Sequence, residues 1–292
     1  MRPLWRIGGA AAITAGLIAL QLALAPSTGS TGLLADAAHN AVDLASLILA
    51  FVAARVARRP PSERRSFGHG RANALAAFVS AGVLVAVTAA VAVVAMVRLI
   101  SPGVVHPTGV LVAAGVGLVG NLVAAQILHQ HEGHDLNRRA ARLHLLGDAG
   151  ASAAVLAAGI AIAVIGPSAS RLDPIASLLI CALLVREGMG LVGESGELLL
   201  EASPAGLEPA EVRGGLATQS GIEDVHDLHL WGLGEGRLAM SAHLVVDEGT
   251  SLASCGTMAD QLRRGLEQRF GAVHATFEFE AGGCDDHPER HR

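Results

Sequence analysis

Six long apolar runs restrict this chain more than any other feature. They lie at roughly 7–25, 32–55, 72–99, 108–128, 142–165 and 174–193, each near the ~20 residues a helix needs to cross a bilayer. The breaks fall at Pro26-Ser27-Thr28-Gly29, Arg59-Pro60-Pro61-Ser62, Ser101-Pro102-Gly103, the charged stretch 129–142, and Gly166-Pro167-Ser168. Pro, Gly and clustered charge interrupt apolar helix at such places. Only 16% of the 292 residues are charged and 51% are hydrophobic. A soluble domain carries about 25% charge, so most of the chain is expected in a membrane. The first run follows Arg2 and Arg6 but has no clear small-residue cleavage site, so it reads as an uncleaved first helix.

The arginines give an orientation. Arg2 and Arg6 precede the first span. Arg55, Arg58, Arg59, Arg64, Arg65 and Arg71 surround the loop between spans two and three, and Arg138, Arg139 and Arg142 lie between spans four and five. Loops 26–31 and 100–107 carry no Arg, and 166–173 carries only Arg171. Arginine-rich loops stay on the cytoplasmic side. Six spans then place both termini in the cytoplasm, with the chain multi-pass in the cell (inner or plasma) membrane. A formal net charge of -5 argues against nucleic acid as a partner. Cys181, Cys255 and Cys284 form no disulfide framework.

From about Ser203 the pattern changes to that of a soluble α+β segment. A short helix is expected over 209–219, alternating strands over 223–232 and 238–247, a helix over 251–270 stopped by Gly271, and a strand over 275–280. The expected fold class is therefore a membrane all-α part of six transmembrane helices followed by a cytoplasmic αββαβ domain. The expected limits are 1–202 for the first, 203–282 for the second, and 283–292 for a tail that is either disordered or completes a site. About 80 residues make a small core, which favours a homodimer.

Two motifs inside the apolar runs carry chemistry. His39-Asn40-Ala41-Val42-Asp43 and His144-Leu145-Leu146-Gly147-Asp148 both read H-x-x-x-D. Four residues is little more than one helical turn, so each His and Asp share a face about 6 Å apart along the axis. Spans two and five run in opposite directions, so as neighbours they bring His39 level with Asp148 and Asp43 level with His144. Intramembrane ionisable groups are expensive and mark paths or sites. Two imidazoles and two carboxylates make a four-ligand set for a borderline metal such as zinc. Structural hydrogen bonding between helices and a proton relay without metal stay open as readings of the same four residues. Asp36, three residues before His39, is an outer-shell or entry carboxylate. Asn40, turned about 100° away, suits a bond to a neighbouring helix. His129, His131 and His134, with Glu132 and Asp135, form a short His cluster that either gathers ions weakly or is a solvated loop. His226 and His229 point to opposite faces of a regular strand and share a site only across a bulge.

Leu34-Ala35-Asp36-Ala37-Ala38-His39-Asn40-Ala41-Val42-Asp43, then Arg59-Pro60-Pro61, Ser66-Phe67-Gly68-His69-Gly70-Arg71-Ala72, His144-Leu145-Leu146-Gly147-Asp148-Ala149 and Val225-His226-Asp227-Leu228-His229-Leu230-Trp231 resemble, in order, the motifs of the cation diffusion facilitator family. The resemblance implies a homodimeric antiporter that exports divalent cations in exchange for protons, with a metallochaperone-like cytoplasmic domain. H-x-x-x-D on both helices is similar to its zinc-preferring type; the ligand types alone leave cadmium, cobalt and nickel open as further substrates. It implies a transport site at His39, Asp43, His144 and Asp148. It also implies a second metal position in the loop at His69, beside Arg64 and Arg65. In the cytoplasmic domain it implies ligands at His226, His243 and His274; the position two after His274, acidic in the family, is Thr276, and Asp227 as a bridge and Cys284 in the tail are candidates to complete the site. The rival readings are a membrane metalloenzyme, for which no H-E-x-x-H is present, and a membrane metal sensor that binds without transport.

Overall fold

The computed structural model describes residues 15–16, 19–21, 23–24, 27–129, 136–234, 236–271 and 273–281, with side chains for all of these but 127–129 and 136–144. Five helices come first: α1 (Thr31–Ala57), α2 (Ala72–Ile100), α3 (Pro107–His129), α4 (Leu136–Ile165) and α5 (Leu172–Leu199), the last preceded by a 3-10 turn at Pro167–Ala169. All five are long and apolar enough to cross a membrane. They match spans two to six; α4 begins before, and α5 ends beyond, the apolar runs that announce them. The described residues of the first span are helical.

Composition explains how these helices pack. Their outward positions carry large apolar side chains, among them Leu47, Ile48, Val93, Val97, Leu179 and Leu183, all well exposed. Lipid is as apolar as leucine, so such faces gain nothing by meeting each other, and small residues and polar contacts draw membrane helices together instead. The buried interior is accordingly Ala37, Ala113 and Ala114 with Leu33, Val110 and Val155. Gly32 lets α1 approach closely: a Cβ there would stand 3.1 Å from Val155 and 3.2 Å from the Asp173 carboxylate.

The C-terminal part follows the expected order: α6 (Pro209–Ala217), β1 (Asp224–Gly234), β2 (Arg237–Val246), α7 (Leu252–Phe270) and β3 (Val273–Ala281). The sheet order is β1-β2-β3, with β1/β2 antiparallel and β2/β3 parallel. Ser251 caps α7 by accepting from the Ser254 amide, and Gly271 ends it at φ 82°, a conformation that favours glycine. One sheet face, with Val225, Leu230, Met240, Ala242, Leu244 and Ala275, packs on Val212 and Leu216 of α6 and Leu262 and Leu266 of α7. Each large apolar side chain buried there contributes about 1.5–3 kcal/mol. The other face carries the polar side chains of alternate residues.

The chain divides into two compact units, 1–49 with 79–191 and 50–78 with 192–292. In the second, Arg71 donates to the Gly232 carbonyl at 3.1 and 3.2 Å and to Glu201 at 2.8 Å, which ties the loop before α2 to β1 and to the end of α5.

Candidate metal centres

α1 and α4 supply the intramembrane cluster. His39 Nε2 lies 3.3 Å from Asp148 Oδ1 and 3.5 Å from Asp43 Oδ2, and one donor atom from each of the three groups falls within 4.8 Å of the others. His39 is 6% exposed and Asp148 7%, whereas the Asp43 side chain is 29% exposed. These separations exceed the ~2.9 Å mode of an N–H···O hydrogen bond. They match the edge of a tetrahedron with metal–ligand bonds of about 2.1 Å, which is about 3.4 Å. The set has the donor types of a zinc site: one imidazole nitrogen and two carboxylates. His144 lies on α4 four residues before Asp148, and its side chain is outside the described residues.

Behind the cluster stands a polar network. Asp36, 1% exposed, accepts from Gln21 at 2.6 Å, Ser152 at 3.2 Å and Asn40 at 3.5 Å. Asn40 donates to Gln21 at 3.1 Å and to the Asp36 carbonyl at 2.9 Å. The network joins the first span, α1 and α4, and Ser152 sits one turn beyond Asp148 on α4. The network fixes the first span and α4 against the turn of α1 that carries His39. Asn121 of α3 is buried, while Gln126 is exposed.

Asp173 is a residue that the sequence patterns do not single out. It is 2% exposed and accepts from the Thr31 amide at 2.7 Å, the Thr31 hydroxyl at 2.8 Å, the Gly32 amide at 3.4 Å, and the Ser30 hydroxyl. These are the otherwise unpaired amides at the start of α1. An anion at a helix N-terminus is favourable, so Asp173 fixes the start of the helix that carries His39 and Asp43. Its only sequence mark is an acidic residue in the first turn of a membrane helix, 142 residues from Thr31.

On the polar face of the sheet, His226, His243 and Glu280 bring donor atoms within 4.8 Å of one another. His226 Nε2 lies 3.2 Å from Glu280 Oε2, and His243 Nδ1 lies 2.7 Å from Glu280 Oε1. Asp227 Oδ2 is 3.4 Å from His243 Nε2. The expected trio of His226, His243 and His274 is not brought together. His274 pairs with Ala239 and His243 with Glu278, four residues further along the strands, or about 13 Å. The His274 ring instead packs edge-on against Phe67, with centroids 5.4 Å apart. Glu280 stands where His274 was expected. The alternation Phe277-Glu278-Phe279-Glu280 is the signal that identifies its face. The bulge that His226 and His229 require does occur: the register shifts between them, and Asp227 has φ 47°. His229 nevertheless turns to Asp227, at 2.9 Å, and stays outside the cluster.

His69 has its Nε2 3.2 Å from Arg65 Nη1, so an arginine occupies the lone pair a metal would use. His129, His131, His134 and Cys284 fall, by their side chains, outside the described residues.

Comparison with known proteins follows these features closely. Residues 9–200 match the cation efflux transmembrane domain, and residues 204–281 match the cytoplasmic domain of cation efflux proteins. The chain is 34% identical to the zinc transporter ZitB of Pectobacterium atrosepticum, over 98% of this chain and 90% of that protein. It is 30% identical to the cadmium, cobalt and zinc/H(+)-K(+) antiporter of Bacillus subtilis, over 87% and 81%. It is also 30% identical to the metal cation efflux system protein CzcD of Cupriavidus metallidurans, over 94% and 86%. The chain therefore belongs to the cation efflux, or cation diffusion facilitator, family, whose members are transporters of divalent metal ions and not enzymes.

Proposed function

We propose that this protein exports divalent metal cations, zinc foremost and cadmium and cobalt as further substrates, from the cytoplasm in exchange for protons. The observation that carries the reading is the cluster of His39, Asp43 and Asp148 inside membrane helices, at separations that suit tetrahedral coordination. We assign His144 as the fourth ligand. Imidazole with carboxylate suits zinc better than magnesium or calcium. The relatives named for zinc, and for cadmium, cobalt and zinc, support the same substrates.

Proton coupling follows from the ligands. Metal requires neutral imidazole and ionised carboxylate, so binding releases protons. The inward-facing site takes zinc and loses protons to the cytoplasm. After the helices rock, protons arriving from outside displace the metal, since histidine titrates close to physiological pH. Return of the protonated site carries protons inward. The proton in the name of the Bacillus subtilis relative supports this cycle. The arginine distribution supports cytoplasmic termini in the cell membrane. In the cytoplasmic domain, zinc bound by His226, His243 and Glu280, with Asp227 beside them, draws two protomers together as a homodimer.

Zinc flux into inverted membrane vesicles tests the antiport. The expected outcome is uptake that rises with an imposed inward-acidic gradient and collapses when the gradient is dissipated. Uptake indifferent to the gradient overturns the proton exchange while leaving metal transport in place.

A further inference from the structure

The loop before α2 carries a second kind of site. Residues 58–71 hold five arginines against one carboxylate, Glu63. Four of the five, Arg59, Arg64, Arg65 and Arg71, line a cavity of about 710 Å³ together with His69 and Glu201. Arg71 and Glu201 satisfy each other at 2.8 Å. Among the described residues no carboxylate pairs with Arg59, Arg64 or Arg65. Among the described residues, three arginines thus line one cavity without a carboxylate partner. Arg65 gives one N–H to His69 and, having five donors, keeps the rest.

A role in membrane orientation needs arginines only somewhere in the loop, and does not require them to converge on one cavity. Several arginines around one cavity suit an anion with several oxygens, because the planar guanidinium fork matches phosphate in pairs of hydrogen bonds. Apolar side chains of the membrane helices, Val56 and Leu75, line the same cavity. An arginine near the cytoplasmic surface attracts anionic lipid. We propose that this cavity binds a phosphate group on Arg59, Arg64 and Arg65, carried by an anionic lipid headgroup or free in solution.

The test uses the purified full-length protein and two probes. Native mass spectrometry measures retention of phosphatidylglycerol against phosphatidylcholine at equal concentration, and thermal unfolding measures the response to inorganic phosphate. Wild type is expected to prefer phosphatidylglycerol, and R64Q/R65Q to lose about tenfold of that preference. R213Q/R264Q, which removes the same charge from exposed positions of α6 and α7, is expected to match wild type. R59Q serves if the double variant does not fold. A phosphate-dependent rise in Tm, lost in R64Q/R65Q without any lipid preference, assigns the site to soluble phosphate. Equal phosphatidylglycerol preference in wild type and R64Q/R65Q, with no phosphate response in either, overturns the proposal.

Discussion

Two clusters of histidine and carboxylate sit in this chain, and their difference is physical. In the membrane, His39 and Asp148 are almost fully buried, and the donor atoms stand 3.3 and 3.5 Å apart. On the sheet, His226, His243 and Glu280 are half-buried, and the closest pair meets at 2.7 Å. In the sheet cluster one pair, His243 and Glu280, meets at hydrogen-bond length, and the half-exposed histidines are screened by water. The membrane cluster holds its groups at tetrahedral spacing, where an uncompensated charge is costly. The contrast teaches that the same residue types store very different amounts of free energy according to the surrounding medium.

The largest effect should come from Asp148→Asn, which keeps the shape and removes the charge. Loss of partners one step removed from a metal costs about 10–100-fold in affinity, so loss of this ligand should cost about 100-fold or more, read by zinc titration calorimetry. An equal loss from His243→Ala would break the comparison. Next comes Asp36→Ala, which leaves Gln21 and Ser152 without their acceptor. Zinc affinity should fall by about 10–100-fold, with Asp148 and His39 intact. Third is Asp173→Ala, which is as buried but touches no ligand. It should lower stability by about 1–2 kcal/mol, the worth of a good N-cap, seen as a lower Tm in detergent with zinc affinity changed less than in Asp36→Ala. The smallest effect belongs to His243→Ala. Flux at saturating zinc should change by less than about fivefold, since a half-exposed pair is worth up to about 1 kcal/mol. The soluble domain should nevertheless lose a zinc equivalent.

Much of this architecture was legible in the sequence. The apolar runs mark five of the helices, the αββαβ order follows from period and turn residues, and Gly271 ends α7 as expected. The H-x-x-x-D frame of His39 and Asp43 was legible because helical spacing is local and regular. What escaped is non-local. Asp173 caps the start of α1 from 142 residues away in the sequence, and no local pattern announces such a cap. His274 looked like a ligand by resemblance. Only the β2/β3 register, which pairs His243 with Glu278 and His274 with Ala239, shows it to be displaced along the strand. The bulge at Asp227 changes the face rule for His226 and His229, and a single extra residue in a strand leaves no mark in hydropathy.

The most direct measurement is zinc uptake into proteoliposomes under an imposed pH gradient, wild type beside Asp148→Ala. The account predicts gradient-driven uptake by wild type and none by the variant. Uptake by the variant at the wild-type rate would contradict a transport site between α1 and α4. Zinc bound by wild type without any uptake would show a metal-binding protein that does not transport.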